Sequence, residues 1–316
     1  MEASMKPDIL QIEPIISDPI SSLNNYFTIH NYWEADDSQS FIADLANRIR
    51  GIVTHGGIGA GAELIGSLPK LEIISCFGVG VDAIDLDAAN AHNVIVTNTP
   101  DVLTDDVADL AIALILATAR EIPQCDRFIR ADRWKEGTMR FGTKVSGKTV
   151  GIIGLGRIGH AFAKRAEAFD LSVCYYDPRE DPDVGYRHYS DLRTMAADCE
   201  FLVLTCIGGQ ATNNIVNAEI LQALGPKGFL INVSRGSTVD ESALITALQG
   251  GTIAGAGLDV FANEPHLPAE LLASDNVVVL PHQGSATHET RNAMGQLVVD
   301  NLRAYFEGRP VLTRVA

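Results

Sequence analysis

The sequence has few cysteines, few aromatic residues and no excess of positive charge. Its five cysteines are odd in number and scattered, and no two have the C-x-x-C spacing of zinc or redox sites. We therefore expect neither a disulfide framework nor a metal site, and most thiols should be buried and reduced. The 24 lysines and arginines against 40 aspartates and glutamates give a formal net charge of −16. This balance argues against binding to nucleic acid or to an anionic membrane.

The sequence also lacks a hydrophobic run long enough to cross a bilayer. The first ten residues do not have the basic-then-apolar order of a secretory signal, so we expect a cytoplasmic protein. The most apolar stretch is residues 110–119, which Asp109 and Arg120 enclose. Such a segment is typical of a helix buried between domains or against a partner subunit, and it favours a homodimer.

A glycine pattern between two apolar segments is the strongest feature present. Residues 150–153 have the character of a buried strand, and Gly154, Gly156 and Gly159 follow at G-x-G-x-x-G spacing as a helical pattern begins. In a dinucleotide site these glycines permit a tight turn, close approach of a pyrophosphate, and close helix packing. A second strand at residues 172–176 ends in Asp177, an acid placed to hold ribose hydroxyls. Glycines also mark ordinary turns, but this order of elements favours a dinucleotide site.

Short apolar strands alternate with helical patterns along the chain, which predicts parallel sheets. A first group of strands begins at Ile9 and ends near Thr97, and a second group, of six strands, begins at Val150. Residues 130–147 are expected to form an irregular arm, residues 181–191 a loop, and residues 287–306 a long helix. We predict an α/β fold with two doubly wound parallel-sheet domains. A Rossmann dinucleotide domain, residues 99–286, is inserted into a discontinuous flavodoxin-like substrate domain, residues 1–98 and 287–316.

Polar residues gather at the predicted carboxyl ends of strands in residues 232–237, 258–265 and 280–287. These segments contain the motifs NVSRGSTVDE, GLDVFANEP and PHQGSAT, and GVGVDAIDLDAA occupies residues 78–89. With GIIGLGRIG and residues 98–120, the chain resembles the D-isomer-specific 2-hydroxyacid dehydrogenases, which include glyoxylate, hydroxypyruvate and hydroxyphenylpyruvate reductases. The resemblance implies an oxidoreductase that transfers a hydride between NAD(P)H and a small 2-keto acid, giving the D-2-hydroxy acid.

The resemblance implies that Arg235, Glu264 and His282 are catalytic, and the chemistry of each side chain agrees. Histidine suits general acid and base work near neutral pH. A carboxylate at Glu264 would favour the imidazolium and hold the ring, and Arg235 can bind a substrate carboxylate while polarising the keto oxygen. The ordinary alternatives are a surface ion pair for Arg235, a structural strand-end histidine for His282, and a turn acid for Glu264. Three other histidines compete for the acid role: His55, His266 and His288.

Further contacts follow from the same resemblance. The predicted cofactor contacts are Thr104, Gly154, Leu155, Gly156, Arg157, Ile158, Gly159, Asp177, Arg179, Cys206, Thr212, Val233, Ser234, Asp259, Gly284 and Ser285. Backbone N–H groups at Val79 and Gly80 are expected to bind the substrate carboxylate, and the loop at His55 and Gly56 to face the same pocket.

The choice of cofactor depends on the end of the second strand of the dinucleotide site. Asp177 would repel a 2′-phosphate and favours NAD, whereas Arg179 makes NADP possible. The alternative to an enzyme is a non-enzymatic NAD-binding sensor or corepressor-like scaffold of the same fold. The presence of all three residues Arg235, Glu264 and His282 favours an enzyme over a scaffold.

Overall fold

The chain folds into two compact units, and the computed structural model describes residues 6–316. The first unit comprises the described residues through Leu103 together with Ala286–Ala316, and the second is Thr104–Ser285. Each unit contains one sheet in which every strand pairing is parallel. The two-sheet α/β architecture predicted from the sequence is confirmed.

The first unit has five strands with helices between them. The strands are β1 (Asp8–Gln11), β2 (Thr28–Asn31), β3 (Ile49–His55), β4 (Ile73–Phe77) and β5 (Ile95–Thr97). The helices in the N-terminal segment of this unit are α1 (Asp18–Ser21), α2 (Ser38–Leu45), α3 (Ala62–Ser67) and α4 (Leu86–Ala91). The strand order is β2-β1-β3-β4-β5. Leu10, Ile52, Ile74 and Val96 pair in one row across four strands and are fully buried, because a parallel sheet is covered on both faces.

The second unit has seven strands. They are β6 (Thr149–Ile153), β7 (Ser172–Tyr176), β8 (Arg187–Tyr189), β9 (Phe201–Leu204), β10 (Phe229–Asn232), β11 (Gly255–Leu258) and β12 (Val277–Val279). The order is β12-β11-β10-β9-β6-β7-β8. The helices are α5 (Thr104–Ala119), α6 (Ile122–Arg130), α7 (Arg157–Ala168), α8 (Leu192–Asp198), α9 (Ala218–Leu224), α10 (Glu241–Gln249) and α11 (Ala269–Leu272). A final helix, α12 (His288–Phe306), returns to the first unit and packs against α1 and β4.

One strand departs from the sequence-based expectation. The sequence predicts six strands in this unit, but β8 lies within residues 181–191, which the pattern indicates as a loop. β8 is three residues long and pairs with β7 at the sheet edge. A strand this short carries too few residues to show an alternating pattern.

The apolar helix α5 is accounted for by packing inside the second unit. It contacts α7, β10, β11 and β12, and its buried side chains include Ala111, Leu114 and Ile115. The burial of residues 110–119 therefore needs neither a second domain nor a partner subunit. Among the described residues, no helix combines the length and apolar character needed to traverse a membrane.

Candidate active site

The glycine turn between β6 and α7 has the geometry that the motif predicts. Gly154 has φ +92°, and a Cβ added there would lie 2.6 Å from Cys206 Cα. A Cβ added at Gly159 would lie 2.4 Å from the carbonyl oxygen of Gly154, so only glycine lets α7 approach the turn this closely. These two positions require glycine for the turn and for packing.

The same turn has room for an anion. At Gly156 a Cβ would meet no described atom within 4 Å, so the space beside this backbone is open. Gly156 is the N-cap of the twelve-residue helix α7, and no side chain of the described residues caps it. Free N–H groups at a helix N-terminus bind phosphate oxygens. The residues present therefore fit the pyrophosphate of a dinucleotide.

Asp177 is held beside this turn. Its Oδ2 accepts from the N–H of Leu155 at 3.1 Å, and Oδ1 accepts from the N–H of Arg179 at 3.3 Å. The carbonyl oxygen of Asp177 lies 3.0 Å from His188 Nε2, which donates to it. The acid that sequence reasoning assigned to the ribose thus lies next to the glycines.

The other predicted cofactor residues of the second unit follow strands β9 to β12, apart from Thr104, which begins α5. Ser234 Oγ donates to the carbonyl oxygen of Cys206 at 2.5 Å and so ties together the loops after β9 and β10. Thr212 Oγ1 donates to the carbonyl oxygen of Ile207 at 2.6 Å, a bond within the loop after β9. Sequence reasoning missed Thr205, whose Oγ1 donates to the carbonyl oxygen of Gly154 at 2.6 Å.

His282 and Glu264 form a hydrogen-bonded pair. His282 Nδ1 lies 2.8 Å from Glu264 Oε2, and the N–H of Phe261 donates to Glu264 Oε1 at 2.9 Å. Burial alone raises the pKa of Glu264, but the hydrogen bond and charge of His282, the Phe261 N–H and the charge of Arg235 lower it overall. Glu264 is therefore ionised near neutral pH. Since a carboxylate only accepts, Nδ1 donates and Nε2 remains for proton exchange.

Asp259 fixes the backbone around His282. Its carboxylate accepts from the N–H groups of Gln283 at 2.6 Å and Gly284 at 2.8 Å, and its carbonyl oxygen accepts from the N–H of His282 at 3.0 Å. Asp259 is 1% exposed, and burial raises its pKa despite these two hydrogen bonds. His282 itself has φ +52°, an uncommon conformation for a residue with a side chain. The Asp259 carboxylate therefore stabilises this strained turn.

Arg235 is placed by the loop after β10. Asn232 Nδ2 and Thr238 Oγ1 both donate to the carbonyl oxygen of Arg235, at 2.9 Å and 2.6 Å. A Cβ added at Gly236 would lie 1.9 Å from the carbonyl carbon of Phe261. This close approach brings the loop of Arg235 against the loop that leads to Glu264. Sequence reasoning missed the positioning roles of Asn232 and Gly236, although a polar asparagine ending an apolar strand was a usable signal.

An apolar pocket of about 240 Å³ lies against the histidine–glutamate pair. Leu267, Val279 and Leu280 line it together with His282 and Glu264. His266, a competing histidine, is exposed and lies outside this lining. Within residues 6–316, no group of three or more histidine, cysteine or acidic side chains is arranged to hold a metal ion.

In the first unit, the predicted substrate-binding residues lie at the carboxyl ends of β3 and β4. Asn98 Nδ2 donates to the carbonyl oxygen of Val79 at 2.8 Å, and the N–H of Gly78 donates to Thr99 Oγ1 at 3.0 Å. These two bonds fix the turn that contains Val79 and Gly80. A Cβ built on Gly78 would lie 3.8 Å from the backbone nitrogen of Gly56, so the loops after the two strands are neighbours.

Comparison with known proteins identifies the family of this chain. The model of the D-isomer specific 2-hydroxyacid dehydrogenase NAD-binding domain matches residues 112–284. A hydroxyphenylpyruvate reductase of Plectranthus scutellarioides is 49% identical over 307 residues, 97% of this chain and 98% of that protein. A 2-ketogluconate reductase of Gluconobacter oxydans is 45% identical over 312 residues, 99% of each chain.

A solved structure shows the same likeness. An NADPH-dependent glyoxylate/hydroxypyruvate reductase of Sinorhizobium meliloti, in complex with NADP and malonate, has a TM-score of 0.93 and 46% identity, covering 98% of this chain and 97% of that one. The chain belongs to the D-isomer-specific 2-hydroxyacid dehydrogenase family. It is an NAD(P)-dependent oxidoreductase, which confirms the enzyme and the cofactor class predicted from the sequence.

Proposed function

We propose that this enzyme reduces glyoxylate and hydroxypyruvate to the D-2-hydroxy acids, with His282 as the general acid. The observation that supports this role is the chain of hydrogen bonds from Phe261 N–H through Glu264 to His282 Nδ1. That chain orients the ring and leaves the other nitrogen, Nε2, for the proposed proton transfer. The relatives named as glyoxylate and hydroxypyruvate reductases support the choice of substrates.

The proposed step moves one hydride and one proton. A reduced nicotinamide dinucleotide held at the glycine turn would supply the hydride for C2 of the keto acid. Nε2 of the imidazolium gives its proton to the keto oxygen as that oxygen gains charge, and Glu264 stabilises the imidazolium beforehand. In the reverse direction the neutral ring accepts the proton from the hydroxy acid. Glu264 acts through His282 and is a positioning residue.

We propose that Arg235 binds the substrate carboxylate and polarises the keto oxygen. Its guanidinium stays charged at all working pH values and offers paired donors that match a carboxylate. The Asn232 and Thr238 bonds to its carbonyl oxygen support a fixed position for this residue. In the first unit, Val79 and Gly80 are proposed to bind a substrate carboxylate through backbone N–H groups.

The remaining assignments are also proposals. We assign the first unit to the substrate and the second to NAD(P), and we expect a cytoplasmic homodimer. Residues 122–141 support a partner interface, because four large apolar side chains there are at least half exposed: Ile122, Ile129, Trp134 and Phe141. Sedimentation of the enzyme should give twice the mass of one chain, and Phe141→Ser should shift it toward the monomer.

A panel of 2-keto acids tests the proposed function. The oxidation of NADH and of NADPH is followed with glyoxylate, hydroxypyruvate, hydroxyphenylpyruvate and 2-ketogluconate, and the product is resolved on a chiral column. We expect turnover of the two small acids and a D product. No turnover of any of the four, or an L product, contradicts the proposal.

A further inference from the structure

A carboxylate and an imidazole face each other in the first unit, at the carboxyl ends of two neighbouring strands. Glu13 lies two residues beyond β1, and His55 is the last residue of β3. The two strands are adjacent, and Gln11 pairs with Val53. His55 Nε2 contacts Glu13 Oε1. We call these two residues the Glu13–His55 pair.

Hydrogen bonds determine which nitrogen of this imidazole carries the hydrogen. The N–H of Gly57 donates to His55 Nδ1 at 2.9 Å. Because Nδ1 accepts, the hydrogen of the neutral ring lies on Nε2, which faces the carboxylate. The pair is therefore a neutral imidazole that donates to the Glu13 carboxylate.

The Glu13 carboxylate has acceptor capacity beyond this one bond. Its Oε1 is buried, and its side chain keeps 20% of its surface exposed. A carboxylate offers about four acceptor sites, and a half-buried charge is costly when only one of them is used. A hydroxyl group is a donor that would occupy one of the remaining sites without adding charge.

The Glu13–His55 pair lies next to the turn proposed to bind the substrate carboxylate. His55 pairs with Phe77, the residue before Gly78, and the Gly56 nitrogen lies 3.8 Å from a Cβ built on Gly78. The loop after β3 is held in place, because Thr54 Oγ1 donates to the carbonyl oxygen of Gly59 at 2.8 Å. A substrate bound at Val79 and Gly80 would extend its carbon chain within reach of this loop.

We propose that the Glu13–His55 pair recognises a hydroxyl group on C3, or further along the chain, of a hydroxylated 2-keto acid. This inference rests on the proposed function and names the substrate class within it. The Glu13 carboxylate accepts the hydrogen of the hydroxyl, and His55 holds the carboxylate in position. A site built to bind a hydroxyl discriminates against the analogue that lacks it, since its acceptor is then left unpaired.

The test compares three substrates that differ at C3. Hydroxypyruvate has a C3 hydroxyl, pyruvate has C3 without it, and glyoxylate has no C3. The value of kcat/KM for each is measured with NADH for the wild type, Glu13→Gln and His55→Asn. Glu63→Gln, on the exposed face of α3, is the matched control for charge. Thermal unfolding of each variant is measured to check that it folds. If one variant does not fold, the preference of the wild type for hydroxypyruvate over pyruvate still tests the inference.

We expect the wild type to prefer hydroxypyruvate over pyruvate by about tenfold or more, in the range of one hydrogen bond to a charged group. Glu13→Gln and His55→Asn should lower that preference by about the same factor, mainly through KM, while glyoxylate reduction changes less than twofold. Equal losses on all three substrates, or no wild-type preference, would overturn this inference and leave the proposed function standing. A wild type that reduces none of the three overturns both.

Discussion

His282, the proposed proton donor, is held by contacts to its backbone and to its ring. Its backbone has φ +52°, its N–H donates to Asp259, and its Nδ1 is engaged by Glu264. Strained backbone is retained when the surroundings stabilise it, and such positions cluster at functional sites. The ring is thereby limited to one orientation, with Nε2 available to the substrate.

Replacing Glu264 by glutamine should change the pH dependence of reduction. Reduction needs a protonated imidazole, and an amide favours the imidazolium less than a carboxylate does. The alkaline decline of kcat/KM should therefore move to lower pH in Glu264→Gln. The profile is measured with glyoxylate from pH 5 to 9, and an unchanged alkaline limb would count against the pairing.

The same substitution should affect stability in one pH range only. The pKa of Glu264 is lowered in the folded chain from its ordinary value of 4.5. A carboxyl with a depressed pKa stabilises the fold above its ordinary value, and this contribution disappears as pH falls through the lowered pKa. The Tm of Glu264→Gln should thus lie below that of the wild type at neutral pH, and the gap should close below pH 4.5. A gap that persists at the lowest pH would contradict the shift.

Asp177 should decide the preference between cofactors. Its carboxylate lies beside the glycine turn, where a 2′-phosphate would meet a like charge. Two unit charges about 4 Å apart repel by roughly 1–4 kcal/mol near a protein surface. Asp177→Ser should therefore raise kcat/KM for NADPH relative to NADH by about tenfold. Asp183→Ser removes an exposed charge from the same loop and is the control. An equal change in cofactor preference in Asp183→Ser would refute the role assigned to Asp177. A lower KM for NADPH than for NADH in the wild type would refute it too.

At the scale of elements, the site depends on loops that follow β10, β11 and β12 and on their close packing. Gly236 is the tightest point, because a Cβ there would lie 1.9 Å from the carbonyl carbon of Phe261. Loops carry function when a rigid scaffold positions them. The parallel strands of the second unit are that scaffold.

Gly236→Ala should therefore displace the loop of Arg235. We expect a loss of about 1–3 kcal/mol in unfolding free energy, as in other overpacked sites, and a higher KM for the keto acid. Gly185→Ala is the matched control, since a Cβ there meets no described atom within 4 Å. The two variants are compared by denaturant unfolding and by steady-state kinetics. Equal unfolding free energies and equal KM values in the two variants would disprove the close approach of Gly236 to Phe261.

The sequence predicts the strand-ending motifs well but not the contacts among them. The glycine spacing and the acid at Asp177 could be recognised because their geometry is local. The roles of Asn232, Thr205 and Glu13 depend on which loops become neighbours, and no spacing in the sequence reports that. β8 was missed for a related reason, since a three-residue edge strand is defined by its pairing with β7.

At the scale of the whole molecule, each of the two parallel-sheet units carries its own set of candidate site residues. The second unit holds the glycine turn, Arg235 and the histidine–glutamate pair, and the first holds the turn at Val79 and the Glu13–His55 pair. Each unit has its own core, so each set of side chains is placed by its own sheet. Family membership identifies the enzyme class, and these side chains are proposed to choose the substrate.

The most direct test of the account is turnover by His282→Gln under saturating NADH and glyoxylate. Loss of a general acid typically costs about 10²–10⁴-fold in rate, so kcat should fall within that range. The dissociation constant for NADH, measured by fluorescence quenching, should stay within twofold of the wild type. A variant that keeps more than a fifth of the wild-type kcat would show that His282 is not the proton donor.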